Sequence, residues 1–471
     1  MNEQQGVVSN LSDRLPDLYK NLDWWRFPRD PEQLVRHLSA HPREVIHAIQ
    51  SHKFKQVVQY AWDHIPFYRW LWGEAGVSPE HIRDIDDIVK LPTWNKQIQR
   101  MALERKPPFG DYYSYDDLSE ANYVVSTSGT TGNPVMMLMK QEDVEGLQDI
   151  YTRSFRHVGV NERDIVQIVF PFSTSGAAWA GYWASQGVGA LIIPTSSGKI
   201  TPSTRQVYWI KHANVTVIYG TASYIRHLAE VAKAEGIDPA QTAVRKIVTA
   251  GEMVSPLLRK EIEELWGAEM YDLFGTVDTQ TWSSIDCAYS RQKFGETGMH
   301  IWEDAVKIEI LDEQGQHCAD GEYGNLTITS WAYKNSPRIR YSMGDAAAVT
   351  EQPCPCGCGL ARMLPVRGRM DDMIRIKAQN IYPMAIENLL KSFGVVEYMV
   401  ETFTEGGSDH IAITVEHPTE DQAMLNQIEK KFAATFNVTP IMKWAAPGST
   451  APMTGAGLEA KIRRIFDRRQ R

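Results

Sequence analysis

Residues 44–63 carry apolar side chains at helical spacing, and Ile65-Pro66 stops the run because the residue before proline is pushed out of the helical region. On this pattern residues 1–110 read as mostly helical. Strand-length apolar runs follow at 124–125, 135–139 and 164–169. From 200 to 275 predicted helices (204–213, 224–235, 256–266) alternate with predicted strands (215–218, 246–249). That alternation predicts parallel strands joined by crossover helices, an α/β fold. From 306 to 328 the pattern changes to period two, with turns at 312–315 and 320–321, which predicts an antiparallel β region. The last hundred residues predict a separate small α+β unit. Its elements are strand 373–376, helix 383–393, strands 398–404 and 410–415, helix 419–436 and a basic C-terminal helix.

One segment needs testing as a membrane span, because 170–198 has no charged residue. Glycines, prolines, serines and a glutamine interrupt it, and its dense apolar run, 190–193, is only strand length. A helix followed by a buried strand is expected there, with no membrane association. The length, 471 residues, is room for about three core-sized units. Forty-nine Lys+Arg against 58 Asp+Glu leave a net charge of −9, which argues against a nucleic-acid partner. The polar start, Met1 to Gln5, lacks the basic region and apolar stretch of a signal peptide. The five cysteines (Cys287, Cys318, Cys354, Cys356, Cys358) are odd in number and clustered late. They suit reduced thiols in a cytoplasm better than a disulfide framework.

The strongest local signal lies between two strand runs: Ser126-Thr127-Ser128-Gly129-Thr130-Thr131-Gly132-Asn133-Pro134. Glycines let backbone approach an anion closely, successive N–H groups form a nest, and hydroxyls add donors. No Gly-Lys-Ser/Thr follows, so this is a strand–loop–strand phosphate cradle rather than a Walker loop.

This nonapeptide resembles the signature of adenylate-forming enzymes, the acyl-CoA synthetase superfamily, and in particular its phenylacetate-CoA ligase branch. Further matches come in order along nearly the whole chain. They are Pro66-Phe67-Tyr68, Leu91-Pro92-Thr93-Trp94-Asn95-Lys96, Tyr219-Gly220-Thr221-Ala222-Ser223-Tyr224, Ala250-Gly251-Glu252 and Phe274-Gly275-Thr276-Val277-Asp278. Arg340-Tyr341-Ser342-Met343-Gly344-Asp345 follows, then Gly368 to Asp372 with Asn380 to Pro383 and Glu387.

The resemblance implies a large multi-subdomain N-terminal domain, 1–370, that binds ATP and the acyl group. It also implies a small mobile C-terminal domain, 371–471, turning about Asp371. Loop 126–134 would hold the β- and γ-phosphates. Gly251 and Glu252 would lie on the adenine side, and Phe274, Gly275 and Thr276, in the place of the family's aromatic-Gly-x-Ser/Thr-Glu motif, would bind the nucleotide. Asp278 would serve Mg²⁺, Asp345 would accept hydrogen bonds from the ribose hydroxyls, and Arg369 would sit near ribose and phosphate. Lys461 resembles the late catalytic lysine, whose ammonium neutralises carboxylate and α-phosphate during adenylation. Phe172, Tyr219, Gly220, Thr221 and Trp282 would line the acyl pocket, and an aromatic carboxylic acid is the implied substrate. Some members of this branch carry a zinc ion on Cys and His at positions like Cys287, His300, Cys354 and Cys356. Cys358 is an alternative ligand, and His300 has a rival role in the acyl pocket. Homodimers are common in the branch.

The chain also departs from the pattern. Asn133 stands at a usual lysine, Val277 at a hydroxyl residue, Asp278 at a glutamate, and Ala378 at a glycine near the pantetheine channel. Ala460 precedes Lys461 where the family has glycine. These changes bear more on transfer to CoA than on ATP binding. The leading reading is an ATP- and Mg²⁺-dependent aryl carboxylate-CoA ligase. Its alternatives are an adenylating enzyme that loads a carrier-protein thiol or another nucleophile, and a non-catalytic nucleotide-binding homologue.

Overall fold

The computed structural model describes residues 14–38, 41–114, 118–126, 135–279, 281–293, 297–370, 373–376, 379–395, 397–406, 408–454 and 463–469. They divide into two compact units: Met1–Met343 with Ala347–Pro365, and Gly344–Ala346 with Val366–Arg471.

In the first unit, helix Pro42–His64 ends where Ile65 turns extended, and Pro66 opens the next helix, Pro66–Glu74. β1 (Tyr123–Ser126) and β2 (Met136–Met139) pair antiparallel, as a strand–loop–strand device requires. Met137, Leu138 and Met139 are buried and pack into the core, while Met136 is exposed.

β3 (Ile165–Ile168), β4 (Leu191–Pro194), β5 (Val217–Gly220), β6 (Lys246–Thr249) and β7 (Glu269–Thr276) are parallel, in the order β4-β3-β5-β6-β7. Helices Gly176–Val188, Ser203–His212, Ala222–Ala234 and Pro256–Trp266 make the crossovers. The last of these shows why the sequence was readable. Ser255 caps it by accepting from the Leu258 N–H, Pro256 fits its first turn, and Gly267 ends it in the left-handed region. Ile218, Ile225, Leu228, Ile247, Ile262 and Met270 form part of the core beneath.

The expectation of a buried strand at 190–193 is corrected here. Among the described residues β4 is the edge of the sheet, and Leu191 is 60% exposed. An uncharged run reads as buried from composition, but an edge strand has a neighbour on one side only. Pro194 fits that position, since it has no N–H to offer a further strand. Among the described residues no helix is long and apolar enough to cross a membrane.

β8 (Thr281–Ile285) and β9 (Met299–Ile301) continue the sheet antiparallel. β10 (Val306–Leu311) and β11 (Gly324–Ser330) make the antiparallel pair that the period-two pattern predicts, and β12 (Arg338–Ala347) is the next strand beside β11. β13 (Val349–Thr350) and β14 (Arg362–Met363) then join β9. The order among the described residues is β13-β14-β9-β8-β7-β6-β5-β3-β4.

In the second unit β15 (Gly368–Arg369) pairs with Ala346 and Asp345 of β12, and β16 (Ile374–Ile376) with β17 (Gln379–Ile381). β18 (Tyr398–Glu405) and β19 (Ser408–Glu416) are antiparallel; β20 (Ile441–Ala445) runs parallel to β19 and β21 (Ile465–Asp467) parallel to β18. Helices Pro383–Lys391 and Gln422–Phe436 bury Ile386, Leu390, Leu425, Ile428 and Phe432 with Val400, Ile411 and Ile413.

The expected basic C-terminal helix is also corrected: its described part is strand β21. Arginines at 464, 468 and 469 gave the segment a solvated look. Instead Arg464 pairs with Glu397 at 2.7 Å, Arg468 with Glu401 at 2.7 Å and Arg469 with Asp409 at 3.0 Å, while the backbone hydrogen-bonds to β18. These partners lie 60 or more residues away, beyond the reach of a local pattern.

Candidate active site

β3, β5, β6 and β7 are neighbouring parallel strands, so the segments leaving their carboxyl ends share one rim of the sheet. Those segments are 169–175, 221–223, 250–252 and 277–278. Such a rim is where open α/β sheets place ligands. Motifs far apart in sequence are thereby brought together.

The phosphate-loop candidate begins at this rim. The Ser126 N–H donates to the Thr174 carbonyl at 2.6 Å, and the Ser126 hydroxyl donates to Thr174 Oγ1 at 2.8 Å. Thr127, Ser128, Gly129, Thr130, Thr131, Gly132 and Asn133 lie outside the described residues.

After β6, Gly251 has φ +80°, a conformation that favours glycine, and a Cβ there would sit 3.7 Å from the Phe170 ring. Glu252 accepts from the Ser223 N–H and, at 2.9 Å, from the Ser223 hydroxyl. This ties the segment after β6 to the one after β5.

Around the β7–β8 hairpin, Phe274 is half-buried and the pairing register shifts between Phe274 and Gly275. A Cβ on Gly275 would lie 2.8 Å from the Thr281 carbonyl oxygen, so the two strands meet there without room for a side chain. Thr276 Oγ1 accepts from the Thr279 N–H at 3.2 Å. The Asp278 carbonyl accepts from Arg338 Nε at 2.9 Å, and its carboxylate lies 3.5 Å from the Tyr341 hydroxyl. Gly176, opening its helix, places Val277 beside it, 3.8 Å from where a Cβ would stand.

Two more motifs meet nearby on β12. The Trp94 N–H donates to the Arg340 carbonyl at 3.1 Å, and the Ser342 N–H donates to the Trp94 carbonyl at 2.7 Å. Arg340 adopts φ +54°, unusual for a side-chain-bearing residue. Its buried guanidinium pairs with Glu309 at 2.8 Å and donates to the Leu91 carbonyl at 2.6 Å.

Of the residues nominated for the acyl pocket, Tyr219 and Trp282 are buried in one aromatic cluster. Their rings are 5.6 Å apart, and Tyr151 and Phe170 lie 4.7 and 4.9 Å from Trp282 and Tyr219 respectively. The Tyr219 hydroxyl donates to the Ala177 carbonyl at 3.2 Å, and burial drives this phenol well above its ordinary range, so it stays neutral. Gly220 is buried against Val169, and Thr221 leads into helix Ala222–Ala234. Phe172 is half-buried against Trp179, and its N–H donates to Ser196 Oγ at 3.1 Å.

In the second unit, Asp345 and Arg369 are cross-strand partners with an ion pair of 3.5 Å. Their side chains are 17% and 45% exposed, which leaves carboxylate oxygens near solvent. Asp345 lies within β12, not in a turn; the left-handed residue is Gly344, whose Cβ would stand 2.8 Å from the Arg369 guanidinium. Asp371, Ala378 and Lys461 lie outside the described residues.

Cys287, His300, Cys354 and Cys356 bring four donor atoms within 4.8 Å of one another. Cys287 Sγ and Cys354 Sγ are 3.9 Å apart, and His300 Nε2 is 3.2 Å from Cys356 Sγ. His300 Nδ1 lies 3.2 Å from the Leu360 carbonyl, which accepts its proton and leaves Nε2 facing the thiols. His300 is thus placed among the cysteines. Cys358 is buried beside them, and its N–H donates to Cys356 Sγ at 3.4 Å.

Thr174, Ser223 and Arg338 escaped the sequence reading of the site. The hydroxyl run Ser173-Thr174-Ser175 before Gly176 is a signal for the first of these. Ser223 lay inside a quoted motif, and nothing local marks Arg338.

Comparison with known proteins agrees with this geometry. The family model described as AMP-binding enzyme matches residues 74–331, and that of the AMP-binding enzyme C-terminal domain matches 378–469. The chain belongs to the AMP-binding enzymes, within the adenylate-forming superfamily. It is 28% identical to the phenylacetate-coenzyme A ligase of Thermus thermophilus, over 92% of this chain and 99% of that one. It is 27% identical to the phenylacetate-coenzyme A ligase of Escherichia coli strain K12, over 79% and 82%. Among solved structures, a 2-hydroxyisobutyryl-CoA ligase in complex with R3-HIB-AMP is 27% identical, with a TM-score of 0.80 over 95% of each chain. These matches establish the mixed α/β fold, with a large N-terminal and a smaller C-terminal domain.

Proposed function

We propose that this chain is an ATP- and Mg²⁺-dependent ligase that joins an aromatic carboxylic acid, of the phenylacetate or benzoate type, to coenzyme A. The observation that carries the reading is the convergence of the motif segments at the carboxyl ends of β3, β5, β6 and β7. Carboxylates do not react with thiols at neutral pH, so the acid must first acquire a leaving group. Its oxygen attacks the α-phosphorus of ATP and pyrophosphate departs, leaving the acyl-adenylate. The CoA thiol then attacks the acyl carbon, loses its proton, and AMP departs.

The chain's part is to align the two reactants and stabilise developing charge. N–H and hydroxyl donors of 126–132 hold the β- and γ-phosphates, and Lys461 neutralises the carboxylate and α-phosphate. Gly251 and Glu252 lie on the adenine side, Phe274, Gly275 and Thr276 bind the nucleotide beside them, and Asp345 with Arg369 holds the ribose. Asp278 would hold Mg²⁺, which supplies charge neutralisation at the phosphates. Asp371 is the pivot of the small domain. An aromatic acid agrees with the two phenylacetate-coenzyme A ligases and with the rings at 170–172, 219 and 282.

Zn²⁺ on Cys287, His300, Cys354 and Cys356 completes the assignment. Two sulfurs about 2.3 Å from a tetrahedral zinc are about 3.8 Å apart, and the Cys287–Cys354 separation of 3.9 Å fits. When bound, the ion supplies a structural crosslink between β8, β9 and the 354–358 turn.

The test is a mass-spectrometric product assay with ATP, Mg²⁺, CoA and a panel of phenylacetates, benzoates, cinnamates and 2-hydroxyisobutyrate. An aryl-CoA product is expected. Adenylate without thioester would assign a different acceptor, such as a carrier-protein thiol, and an aliphatic product would overturn the substrate class.

A further inference from the structure

The buried carboxylate of Asp286 lies between the Cys/His cluster and the hairpin that carries Phe274 to Asp278. Asp286 Oδ2 accepts from the Asp272 backbone N–H of β7 at 2.9 Å and from the Arg259 guanidinium at 2.5 Å. Asp286 Oδ1 accepts from the Ser290 hydroxyl at 3.0 Å. Ser290 closes onto the metal ligand: its Oγ accepts from the Cys287 N–H at 2.8 Å, and its N–H donates to Cys287 Sγ at 3.3 Å. One carboxylate therefore fastens the backbone of β7 to the turn that presents the first cysteine.

A second connection runs in parallel. β8 leads from the hairpin straight into Asp286 and Cys287, and its last residue, Ile285, pairs with His300 on β9. Two of the four donors thus hang on the strands that extend the sheet from β7. Arg259 and Asp286 are both buried, so the junction is not loosened by solvent. A shift of the cysteine turn must be passed to β7 or break a buried charged hydrogen bond, and the latter is costly.

We propose that Asp286 is a positioning residue through which occupation of the Cys287–His300–Cys354–Cys356 cluster sets the conformation of the Phe274–Asp278 hairpin, so that metal and nucleotide binding are coupled. This rests on the hairpin's reading as part of the nucleotide site and on the zinc assignment. Coupling between two sites is reciprocal: the factor by which zinc strengthens nucleotide binding is the factor by which nucleotide strengthens zinc binding.

The test uses the full chain, zinc-loaded and chelator-stripped, with AMP as the probe. AMP affinity is read by calorimetry, and zinc loss by a colorimetric chelator. Stripping zinc should weaken AMP binding about tenfold, and saturating AMP should slow zinc loss. Asp286→Asn should still take up one zinc, yet its AMP affinity should change less than about threefold on stripping. Ser290→Ala, which removes a single hydroxyl, should cut the ratio in the same direction and carries the test if the first variant does not fold. Equal AMP affinity in loaded and stripped wild-type chain would overturn the proposal, as would an undiminished ratio in both variants. A chain that takes up no zinc overturns the metal assignment and this proposal with it. If Phe274→Ala leaves AMP affinity untouched, the hairpin reading falls instead.

Discussion

Gly275 admits no side chain, because a Cβ would meet the Thr281 carbonyl at 2.8 Å and the Trp282 ring at 2.7 Å. Backbone cannot swing aside as a flexible side chain can, so Gly275→Ala should cost about 2 kcal/mol of folding stability, in the range of overpacked cores. Denaturant midpoints check this, and AMP affinity should fall with them because the Phe274–Asp278 hairpin is displaced. Lys461 was found by resemblance alone, since Glu459 to Arg469 offers several basic residues and no local rule distinguishes one. Lys461→Ala should abolish pyrophosphate release while ATP binding persists. Unchanged release would remove Lys461 from the chemistry. Arg153 and Asp304 form an ion pair that is 0% exposed on both sides, with Tyr19 also donating to the carboxylate at 2.9 Å. Asp304→Ala should therefore destabilise the first unit by about 3–5 kcal/mol, since it strands a buried guanidinium.

At the scale of elements, β7 contains a carboxyl group whose ionisation works against folding. Burial, aided by the neighbouring Asp286 carboxylate, pushes Asp272 up to about 7. The folded state then holds a proton that the unfolded chain has lost above about pH 4. Asp272 accordingly favours folding at low pH, and that contribution is lost as pH rises through about 7. Asp272→Asn should therefore gain stability relative to wild type between pH 5 and pH 8, measured as the difference in denaturant midpoints. A difference that stays constant across that range would contradict the shift. Elements were legible where their signals are local. The Ser255 cap, Pro256 and Gly267 bracket one helix, and period two marks β10 and β11. β4 and β21 were misread because edge position and a partner 65 residues away leave no local trace. The Cys/His cluster follows the same logic. His300 reaches the cysteines because β14 lies beside β9, placing Arg362 opposite His300. The sequence shows three cysteines crowded at 354, 356 and 358; which of them join Cys287 and His300 came from resemblance.

At the scale of the molecule, most of the function was written as an ordered series of short motifs, and the parallel sheet supplies what their order cannot. It sets 169–175, 221–223, 250–252 and 277–278 along one rim. What the sequence concealed is the set of ties between those segments, such as Ser126 to Thr174 and Glu252 to Ser223. Each joins residues whose proximity exists only after folding. The zinc assignment predicts one ion per chain purified without chelators, and a lower melting temperature once it is removed. Metal analysis that finds none would contradict it. The central claim is acyl activation followed by transfer to CoA, and the most direct measurement is mass spectrometry of the products formed from ATP, Mg²⁺, CoA and the acid panel. AMP, pyrophosphate and an aryl-CoA thioester are expected, all dependent on ATP. No CoA thioester from any acid in the panel would contradict it.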